Sequence, residues 1–362
     1  MKVKPRLAFV LCWTLCVLSG TVARAVCVGA SVNSFGAKGD GHTDDTAAIQ
    51  IAINAAASTG GGSVVFGVGR YFTTGAFLVP QGVVLCGSVE GPFDVAGVNP
   101  ATTTIAPTLL ITNTNSPFLT LGGIGAGVTD LLFHYPNQVG SSANAPNVYP
   151  YTILVTNPGT KVARSTVTNA YNFLDIEVGR TMAQDLFIGA FNTGVKLDHV
   201  YAPITLRNLL NQVFWDELEG ATYPRPIDAW VLNHGTGIEA DRVDDFELHD
   251  FFVFSRFIGI LLTDSPDKTQ SYSLCPYGSA SDIDLDTVQY GIVAIATNTP
   301  GLKFTNVDIG AAAGIGQAAV QVRSGGSQTP LILVNGGSQR GTWASGAYPP
   351  PAPGTIIVNI LP

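Results

Sequence analysis

The feature that most constrains the fold is a series of short, alternating apolar runs, several of which open with Gly-Ile or Gly-Val. Four of these glycines, Gly194, Gly237, Gly259 and Gly291, follow one another at spacings of 43, 22 and 32 residues. The spacings indicate a repeat of about 22 residues, within the range typical of solenoid proteins. We interpret the spacing of 32 as one repeat that carries a loop insertion. In such a chain each strand edge pairs with the next repeat.

The composition agrees with many short strands joined by tight turns. The chain has 362 residues, of which 46% are hydrophobic and only 12% are charged, and it contains 41 glycines and 22 prolines. Glycine and proline supply the backbone geometries of turns, and the β-branched residues in the middle of the chain favour strands. A β-sandwich would also give short strands at such intervals. The glycine-led spacing favours an all-β solenoid that forms one domain over residues 26–362.

Residues 35–50, FGAKGDGHTDDTAAIQ, join a glycine-rich loop to a predicted helix over residues 43–57. Thr43 is the expected N-cap. An apolar stripe follows at helical spacing: Ile49, Ala52, Ile53 and Ala56. A phosphate loop would need a Lys-Ser or Lys-Thr pair before the helix, and a helix-loop-helix calcium site would need its closing glutamate. The stretch has neither, so we expect it to be scaffold.

Together with the following strands, residues 32–88 resemble the entry segment of the pectate-lyase-like superfamily. More narrowly, they are similar to the group that contains rhamnogalacturonase, polygalacturonase-related hydrolases and epimerase-like proteins. The resemblance implies a right-handed, single-stranded parallel β-helix whose N-terminal end is capped by the helix at 43–57. The resemblance is less specific for the activity than for the fold, because hydrolases, lyases, epimerases and phage tailspikes share the segment.

The first 25 residues are typical of an export signal. They combine basic residues near the start, an apolar stretch from Leu7 to Leu18 and a small-residue cleavage site that ends at Ala25. An uncleaved signal anchor is the alternative, but the apolar stretch is short for a membrane span. We therefore expect a secreted or periplasmic protein that is cleaved after Ala25 and has no membrane attachment.

The net charge of the chain limits the classes of molecule that it can bind. Removing residues 1–25 removes four cations and no anion, which takes the formal charge from -8 to -12. An acidic surface repels nucleic acid and anionic lipid, so we expect neither as a partner. We expect a monomer that binds a polysaccharide. Cys27, Cys86 and Cys275 remain after cleavage; they allow one disulfide of unassigned pairing and have no spacing typical of a metal site.

Three long segments interrupt the repeat, and we expect them to line a groove: residues 134–151, 215–230 and 263–280. Long polar loops on a rigid scaffold commonly carry binding groups. Each contains aromatic rings, which suit the apolar face of a sugar, and polar side chains, which suit its hydroxyls. Solvated loops whose tyrosines pack on the scaffold are the alternative.

Glycoside hydrolysis needs a protonated and an ionised carboxyl group at a controlled separation. Asp216 and Glu217 lie beside Trp215, whose ring would raise a carboxyl pKa, so one of them is the candidate acid. The candidates for the second carboxylate are Asp244, Asp245 and Asp198. The candidate substrate-binding residues are Trp215, Tyr223, Arg225, Asp228 and His234. The alternative for Asp216 and Glu217 is an acidic turn that lies in water. The alternative for Asp244 and Asp245 is a turn that precedes a strand.

Polygalacturonase-like hydrolases carry Asn-Thr-Asp, Asp-Asp, His-Gly and Arg-x-Lys elements in that order. Here His234-Gly235 precedes Asp244-Asp245, and the first and last elements are missing. The polygalacturonase pattern is therefore not met, and its site residues are not carried over to these positions.

A calcium-assisted lyase is the weaker enzyme hypothesis. SDIDLD at 281–286 places three carboxylates on one strand face, and they could hold Ca²⁺, although a solvated face is the commoner outcome. No basic cluster stands opposite them. We therefore expect no cofactor or metal, with Ca²⁺ only for a lyase, and a hydrolase of a plant-wall or microbial glycan. A lyase, an epimerase or a non-catalytic carbohydrate-binding protein of the same fold is the alternative.

Overall fold

The computed structural model describes residues 27–95, 97–139, 145–212, 226–269, 274–323 and 325–344, and the backbone of 356–361. It contains a 3-10 turn at Val32–Phe35 and two helices, α1 (Thr46–Ser58) and α2 (Pro226–His234). The strands in chain order are β1 (Ala30–Ser31), β2 (Asp40–Asp44), β3 (Gly62–Phe66), β4 (Gly69–Thr73), β5 (Phe77–Val79), β6 (Val83–Gly87), β7 (Pro107–Ile111), β8 (Leu119–Leu121), β9 (Gly127–Thr129), β10 (Leu132–His134), β11 (Tyr151–Val155), β12 (Lys161–Ile176), β13 (Met182–Leu197), β14 (Ile204–Gln212), β15 (Thr236–Ala240), β16 (Phe246–Leu262), β17 (Gly278–Ala294), β18 (Leu302–Gly316), β19 (Ala318–Val322), β20 (Ile332–Trp343) and β21 (Ile356–Leu361).

These strands form three parallel rows, and each coil of the chain adds one segment to each row. Every pairing among the described strands is parallel. Row 1 runs from β1 through β3, β6, β9 and the first residues of the long strands. Row 2 runs through β2, β4, β7, β10 and the middle of the long strands. Row 3 runs through β5, β8, β11, the ends of the long strands, β15 and β19. The predicted parallel, strand-rich architecture is confirmed.

The glycine-led runs all belong to row 3, but the spacing of 43 does not correspond to two repeats of about 22 residues. The register pairs Val195 with Ile238, so Gly194 and Gly237 occupy neighbouring coils. The spacing of 43 is therefore a single coil with an insertion, because residues 213–235 separate rows 2 and 3 there. The spacings of 22 and 32 are also single coils, since Ile238 pairs with Ile260 and Ile260 pairs with Ile292.

The same glycines are required by the close approach of successive coils. A Cβ added to Gly237 would lie 2.4 Å from the carbonyl oxygen of Gly259 and 2.8 Å from Val253 Cγ2. A Cβ on Gly259 would meet the carbonyl oxygen of Gly291 at 2.8 Å. Both contacts are shorter than van der Waals distance, so the coils would have to separate to accept a side chain.

We expect Gly237→Ala to destabilise the fold by about 1–3 kcal/mol, because overpacking of a tight interior costs that amount. Gly67→Ala is the matched control, since its Cβ would meet only ordinary contacts, at 3.5 Å from Asn33 Oδ1 and 3.6 Å from the Tyr71 hydroxyl. The free energy of unfolding in urea measures both variants. Equal stability of the two variants would show that the coils do not approach as closely as described.

The opening loop is held by its aspartates, as expected of scaffold. Asp45 accepts hydrogen bonds from the backbone N–H groups of Lys38 (2.6 Å) and Gly39 (3.0 Å). Asp44 accepts from the N–H of Thr46 at 3.0 Å. The helix begins at Thr46 rather than with Thr43 as N-cap, because residues up to Asp44 belong to β2. Its apolar stripe is buried as predicted: Ile49, Ala52, Ile53 and Ala56.

Cys27 and Cys86 form a disulfide, which decides the pairing that the sequence left open. It links the segment before β1 to β6 in row 1. Cys275 is buried, and its Sγ donates to Asp264 Oδ1 at 3.1 Å. Neither helix of the described part of the chain has the length and apolar content of a membrane span.

His134 at the end of β10 is buried in the solenoid rather than in the predicted loop 134–151. Its Nδ1 lies 2.7 Å from Thr168 Oγ1. Burial lowers the pKa of His134 to about 4. Because the folded state takes up this proton only near pH 4, and the unfolded chain does so near pH 6.5, stability contributed by neutral His134 is lost as the pH falls from about 6.5 to about 4.

We expect the wild-type protein to lose at most about 1.4 kcal/mol per pH unit in this window through His134. His134→Gln keeps a polar partner for Thr168 but cannot take up a proton, so its stability should depend less on pH. Urea unfolding between pH 7 and pH 4 measures the difference. Parallel curves for the two proteins would contradict the assignment.

Candidate active site

A cluster of ionisable side chains lies on the outer face of row 3. Asp175, Lys196 and Glu239 are register partners in three successive coils. Adjacent strands are about 4.8 Å apart, so the two carboxyl groups flank the ammonium group from neighbouring coils. Asp241 directly follows the end of β15 and also contacts Lys196. We call Asp175, Lys196, Glu239 and Asp241 the Lys196 cluster.

Lys196 makes the central contacts. Its Nζ lies 3.5 Å from Asp241 Oδ2 and 3.9 Å from Glu239 Oε1. The side chains of Lys196 and Glu239 are 22% and 26% exposed, whereas that of Asp241 is 1% exposed. Glu239 and Lys196 are therefore the members of the cluster that solvent can reach, whereas Asp241 is buried.

The environment shifts every member toward its protonated form. Burial, reinforced by the negative charge of Glu177, raises the pKa of Asp175 to about 7. Burial, reinforced by Glu239, raises the pKa of Asp241 to about 8. Burial also raises the pKa of Glu239. For Lys196, burial lowers the pKa, but the surrounding carboxylates outweigh it and hold the pKa above its ordinary value. Near neutral pH the cluster holds a protonated carboxyl beside an ammonium ion.

A group of aromatic side chains stands further along the same face, where rows 2 and 3 meet. The ring centroids of Tyr171 and Trp230 are 6.1 Å apart, and His234 stacks on Trp230 at 4.4 Å. The Nδ1 of His234 hydrogen-bonds the Trp230 carbonyl at 2.8 Å. Tyr171 and Trp230 are partly buried, and His234 is exposed. We call these three residues the aromatic platform.

Helix α2 positions the platform. Its buried residues Ile227 and Val231 pack with Phe191, and Trp230 and Phe254 pack against this group. Tyr171 and Asp175 are four residues apart on β12, which is about 13 Å in a strand. The distance leaves room for a short saccharide whose apolar face contacts the rings while its polar groups reach the cluster.

Several residues predicted for the site lie outside the described residues: Trp215, Asp216, Glu217, Tyr223 and Arg225. The predicted loop 215–230 is wrong in its last part, because residues 226–230 belong to α2. The spacing of Ile227, Trp230 and Val231 matches a helix face that packs on the solenoid. Asp228 is 1% exposed in the first turn of this helix. Direct contact of Asp228 with a substrate is therefore not supported, whereas His234 does join the platform.

The three candidates for the second carboxylate have structural contacts. Asp198 is buried and accepts from the N–H of His199 at 2.8 Å and the hydroxyl of Ser265 at 3.0 Å. Asp244 pairs with Arg242, whose Nη2 donates to Oδ2 at 2.9 Å. Asp245 is exposed, has φ of 56°, and directly precedes β16, which fits the alternative role of a turn residue.

Other sequence-based expectations are resolved by burial. In the loop 134–151, Tyr135 and Tyr149 are buried and their ring centroids lie 4.7 Å apart at an interplanar angle of 58°, so they pack on the scaffold instead of facing a sugar. In the loop 263–280, residues 278–280 belong to β17. Asp282, Asp284 and Asp286 lie outside a buried Ile283 and Leu285, as predicted. Asp284 pairs with Arg340 at 3.1 Å, and the described residues contain no group of three or more metal-binding side chains arranged to hold an ion.

The residues of the Lys196 cluster were not among the predicted site residues, although the sequence contains a signal for them. GVKLD at 194–198 and GIEAD at 237–241 carry a charge at the third position and aspartate at the fifth. The third position faces outward because the strand alternates, and the aspartate directly follows the strand. When the two runs are aligned by their glycines, Lys196 and Glu239 occupy the same position, as the register confirms.

Comparison with known proteins finds sequence similarity in the N-terminal part of the chain. Residues 29–114 match the family model "Rhamnogalacturonase A/epimerase, pectate lyase-like", which confirms the resemblance inferred for this segment. Alginate lyase 7 of Azotobacter vinelandii is 49% identical over 55 residues, which are 15% of this chain and 6% of that protein. Mannuronan C5-epimerase AlgE4 of the same organism is 41% identical over 68 residues, 17% of this chain and 12% of that protein.

Solved structures extend the likeness over most of the chain. The A-module of Azotobacter vinelandii mannuronan C-5 epimerase AlgE4 superimposes with a TM-score of 0.60 at 16% sequence identity. The alignment covers 86% of this chain and 77% of the A-module. An exopolygalacturonase from Thermotoga maritima has a TM-score of 0.53 at 10% identity, covering 86% and 81%. The tailspike of E. coli bacteriophage HK620 has a TM-score of 0.59 at 11% identity, covering 91% and 64%. Such low identities show the β-helix fold alone, because one fold hosts several activities.

Proposed function

We propose that the protein is a glycoside hydrolase that acts on a plant-wall or microbial polysaccharide. The observation that carries the proposal is the placement of Asp175 and Glu239 on either side of Lys196, on an open face of row 3. The named relatives of the fold include a lyase, an epimerase and a polygalacturonase, all of which act on polysaccharides, and this supports a carbohydrate-active enzyme.

In this proposal Asp175 is the general acid. A carboxyl group with a pKa of about 7 is protonated below neutral pH and about half protonated at pH 7, and the protonated form donates its proton to the glycosidic oxygen of the leaving group. Glu239 is the ionised partner, and Lys196 at 3.9 Å favours its charged form. The carboxyl groups belong to coils two steps apart, about 9.6 Å between their strands. This spacing leaves room for a water between Glu239 and the sugar, as an inverting hydrolysis requires.

The remaining elements have supporting roles. The aromatic platform takes the apolar face of a neighbouring sugar ring. Asp216, Glu217 and Arg225 lie outside the described residues and stay candidates for the same groove, because β14 ends at Gln212 in row 2 and β15 begins at Thr236 in row 3, where Glu239 lies. We propose further that the solenoid is right-handed, that α1 covers its N-terminal end, and that the protein is a secreted or periplasmic monomer after cleavage behind Ala25.

A lyase or epimerase is the second candidate, and Lys196 favours it. An ammonium group on the open face could pair with the carboxylate of a uronate ring, and Tyr151 begins β11, two coils before Lys196 in the same row. Burial raises the pKa of Tyr151, however, so this phenol holds its proton and acts as a base less readily.

A product screen decides between these activities. The protein is incubated with neutral and anionic polysaccharides, and new reducing ends and the ultraviolet absorbance of unsaturated sugars are measured in parallel. We expect new reducing ends without the unsaturated product. Both signals together would identify a lyase. A polymer that is bound without any product would move the assignment to a carbohydrate-binding protein, and a changed sugar configuration without cleavage would identify an epimerase.

A further inference from the structure

The outer face of row 2 carries a second feature that the proposed catalysis does not use. Three successive coils align the segments QDLF (184–187), RNLL (207–210) and HDFF (249–252). Their second residues, Asp185, Asn208 and Asp250, have φ of 55°, 51° and 55° and form the corner between rows 1 and 2. Their fourth residues point outward and are apolar and partly exposed: Phe187, Leu210 and Phe252.

The apolar strip is confined to these coils. The next two coils repeat the pattern as SDID (281–284) and TNVD (305–308), where the outward position is Asp284 or Asp308. Since the corner and the inward residues keep their character along the solenoid, the change is specific to the outward position. Scaffold requirements alone do not explain it.

A polar cavity of about 540 Å³ lies directly beside the strip. It is lined by Gln184, Asp185, Arg207, Asn208 and Asp250. Asn208 Nδ2 donates to Asp185 Oδ1 at 2.8 Å, and Gln184 Nε2 donates to Asp185 Oδ2 at 3.0 Å. Arg207 Nε lies 3.5 Å from Asp250 Oδ2, and the two side chains are 67% and 50% exposed. Donors and acceptors are thus held in place beside apolar surface.

We propose that this cavity and strip form a non-catalytic binding site for a neutral saccharide. A sugar ring offers an apolar face, which Phe187, Leu210 and Phe252 match, and hydroxyl groups, which both donate and accept hydrogen bonds. The cavity supplies carboxylate and amide acceptors together with amide and guanidinium donors. Its two aspartates outnumber its one arginine, which is already paired, so an anionic sugar is disfavoured.

The site lies on row 2, whereas the Lys196 cluster lies on row 3. It would therefore hold a polymer chain without contacting the reacting bond, and its effect would appear only on long chains. A short oligosaccharide that fills the groove on row 3 alone would be processed at an unchanged rate.

Affinity electrophoresis tests the proposal, with Glu239→Gln as the background that prevents turnover. The gels contain one polymer at a time: a neutral glucan, galactomannan or arabinan, or anionic alginate or polygalacturonate. We expect at least one neutral polymer to retard the protein. Phe187→Ser combined with Arg207→Ala should raise its dissociation constant about tenfold. Lys303→Ala, which removes an exposed cation of row 1 in another coil, should leave it unchanged.

The double variant could lose affinity because it misfolds. The single variant Arg207→Ala separates the two causes, because this largely exposed side chain can be removed without disturbing the fold. It should weaken binding at least about threefold with an unchanged melting temperature. The proposal is overturned if no neutral polymer retards the background protein, or if only anionic polymers do. It is also overturned if Arg207→Ala binds like the background, or if Lys303→Ala loses as much affinity. A protein surface as the true ligand would appear as the first of these outcomes.

Discussion

Asp175→Asn is expected to lower kcat/KM for polysaccharide hydrolysis roughly a thousandfold, because general acid catalysis contributes about that much and the amide has no proton to donate. Glu239→Gln should cause a loss of similar size, since it removes the base that activates water. Initial rates of reducing-end formation measure both. Asp284→Asn is the matched control, because this aspartate lies on row 2 and pairs with Arg340. Wild-type activity in both site variants would exclude the Lys196 cluster as the catalytic site.

The pH dependence of the hydrolysis rate tests Asp175 as the general acid without any mutation. Asp175 must be protonated to act, and its pKa is raised to about 7 by burial. The rate should therefore fall as the pH rises through about 7 and hold below it, down to the pH at which Glu239 becomes protonated. A rate that continues to increase with pH well above 7 would contradict Asp175 as the acid.

Lys196→Met is expected to lower kcat/KM at neutral pH about a hundredfold. The ammonium group lowers the carboxyl pKa of Glu239, Asp241 and Asp175, so its removal lets each of these groups hold its proton to higher pH. Less Glu239 is then ionised at neutral pH. Both limbs of the pH–rate profile should move to higher pH, which a merely structural defect would not cause.

Lys196→Arg keeps the positive charge. We therefore expect its pH–rate profile to stay at the wild-type pH and its kcat/KM to fall less than that of Lys196→Met. Lys303→Met is the control for removing an exposed lysine elsewhere. Thermal unfolding of all variants separates loss of catalysis from loss of fold. An unshifted profile in Lys196→Met would mean that the ammonium group does not set the ionisation of the cluster.

The sequence predicted the scaffold better than the site, for physical reasons. Alternating apolar runs and turn residues act locally, so the strands, the helix near residue 46 and its buried stripe could be inferred from short windows. The period was harder to infer, because a residue count alone does not distinguish two coils from one coil with an insertion. The register of Val195 with Ile238 resolves that ambiguity.

The site depends on neighbours that are far apart in sequence. Lys196 and Glu239 are brought together by stacking across an insertion, and Asp175 comes from the preceding coil. The chemical signal of each residue alone is weak, since a charge on an exposed strand face is usually solvated. In the sequence, carboxylates next to aromatic rings occur in the loop segments, which therefore give the stronger local signal. Burial, which raises the pKa of Asp175 and Asp241, becomes visible only when the coils are stacked.

The most direct test of the account is the structure of Glu239→Gln in complex with an oligosaccharide of the polymer that the product screen identifies. We expect the glycosidic oxygen roughly 3 Å from a carboxyl oxygen of Asp175, with one sugar ring on the platform of Tyr171, Trp230 and His234. An oligosaccharide whose scissile bond lies away from row 3, with the Lys196 cluster still open to solvent, would contradict the assignment of this cluster as the active site.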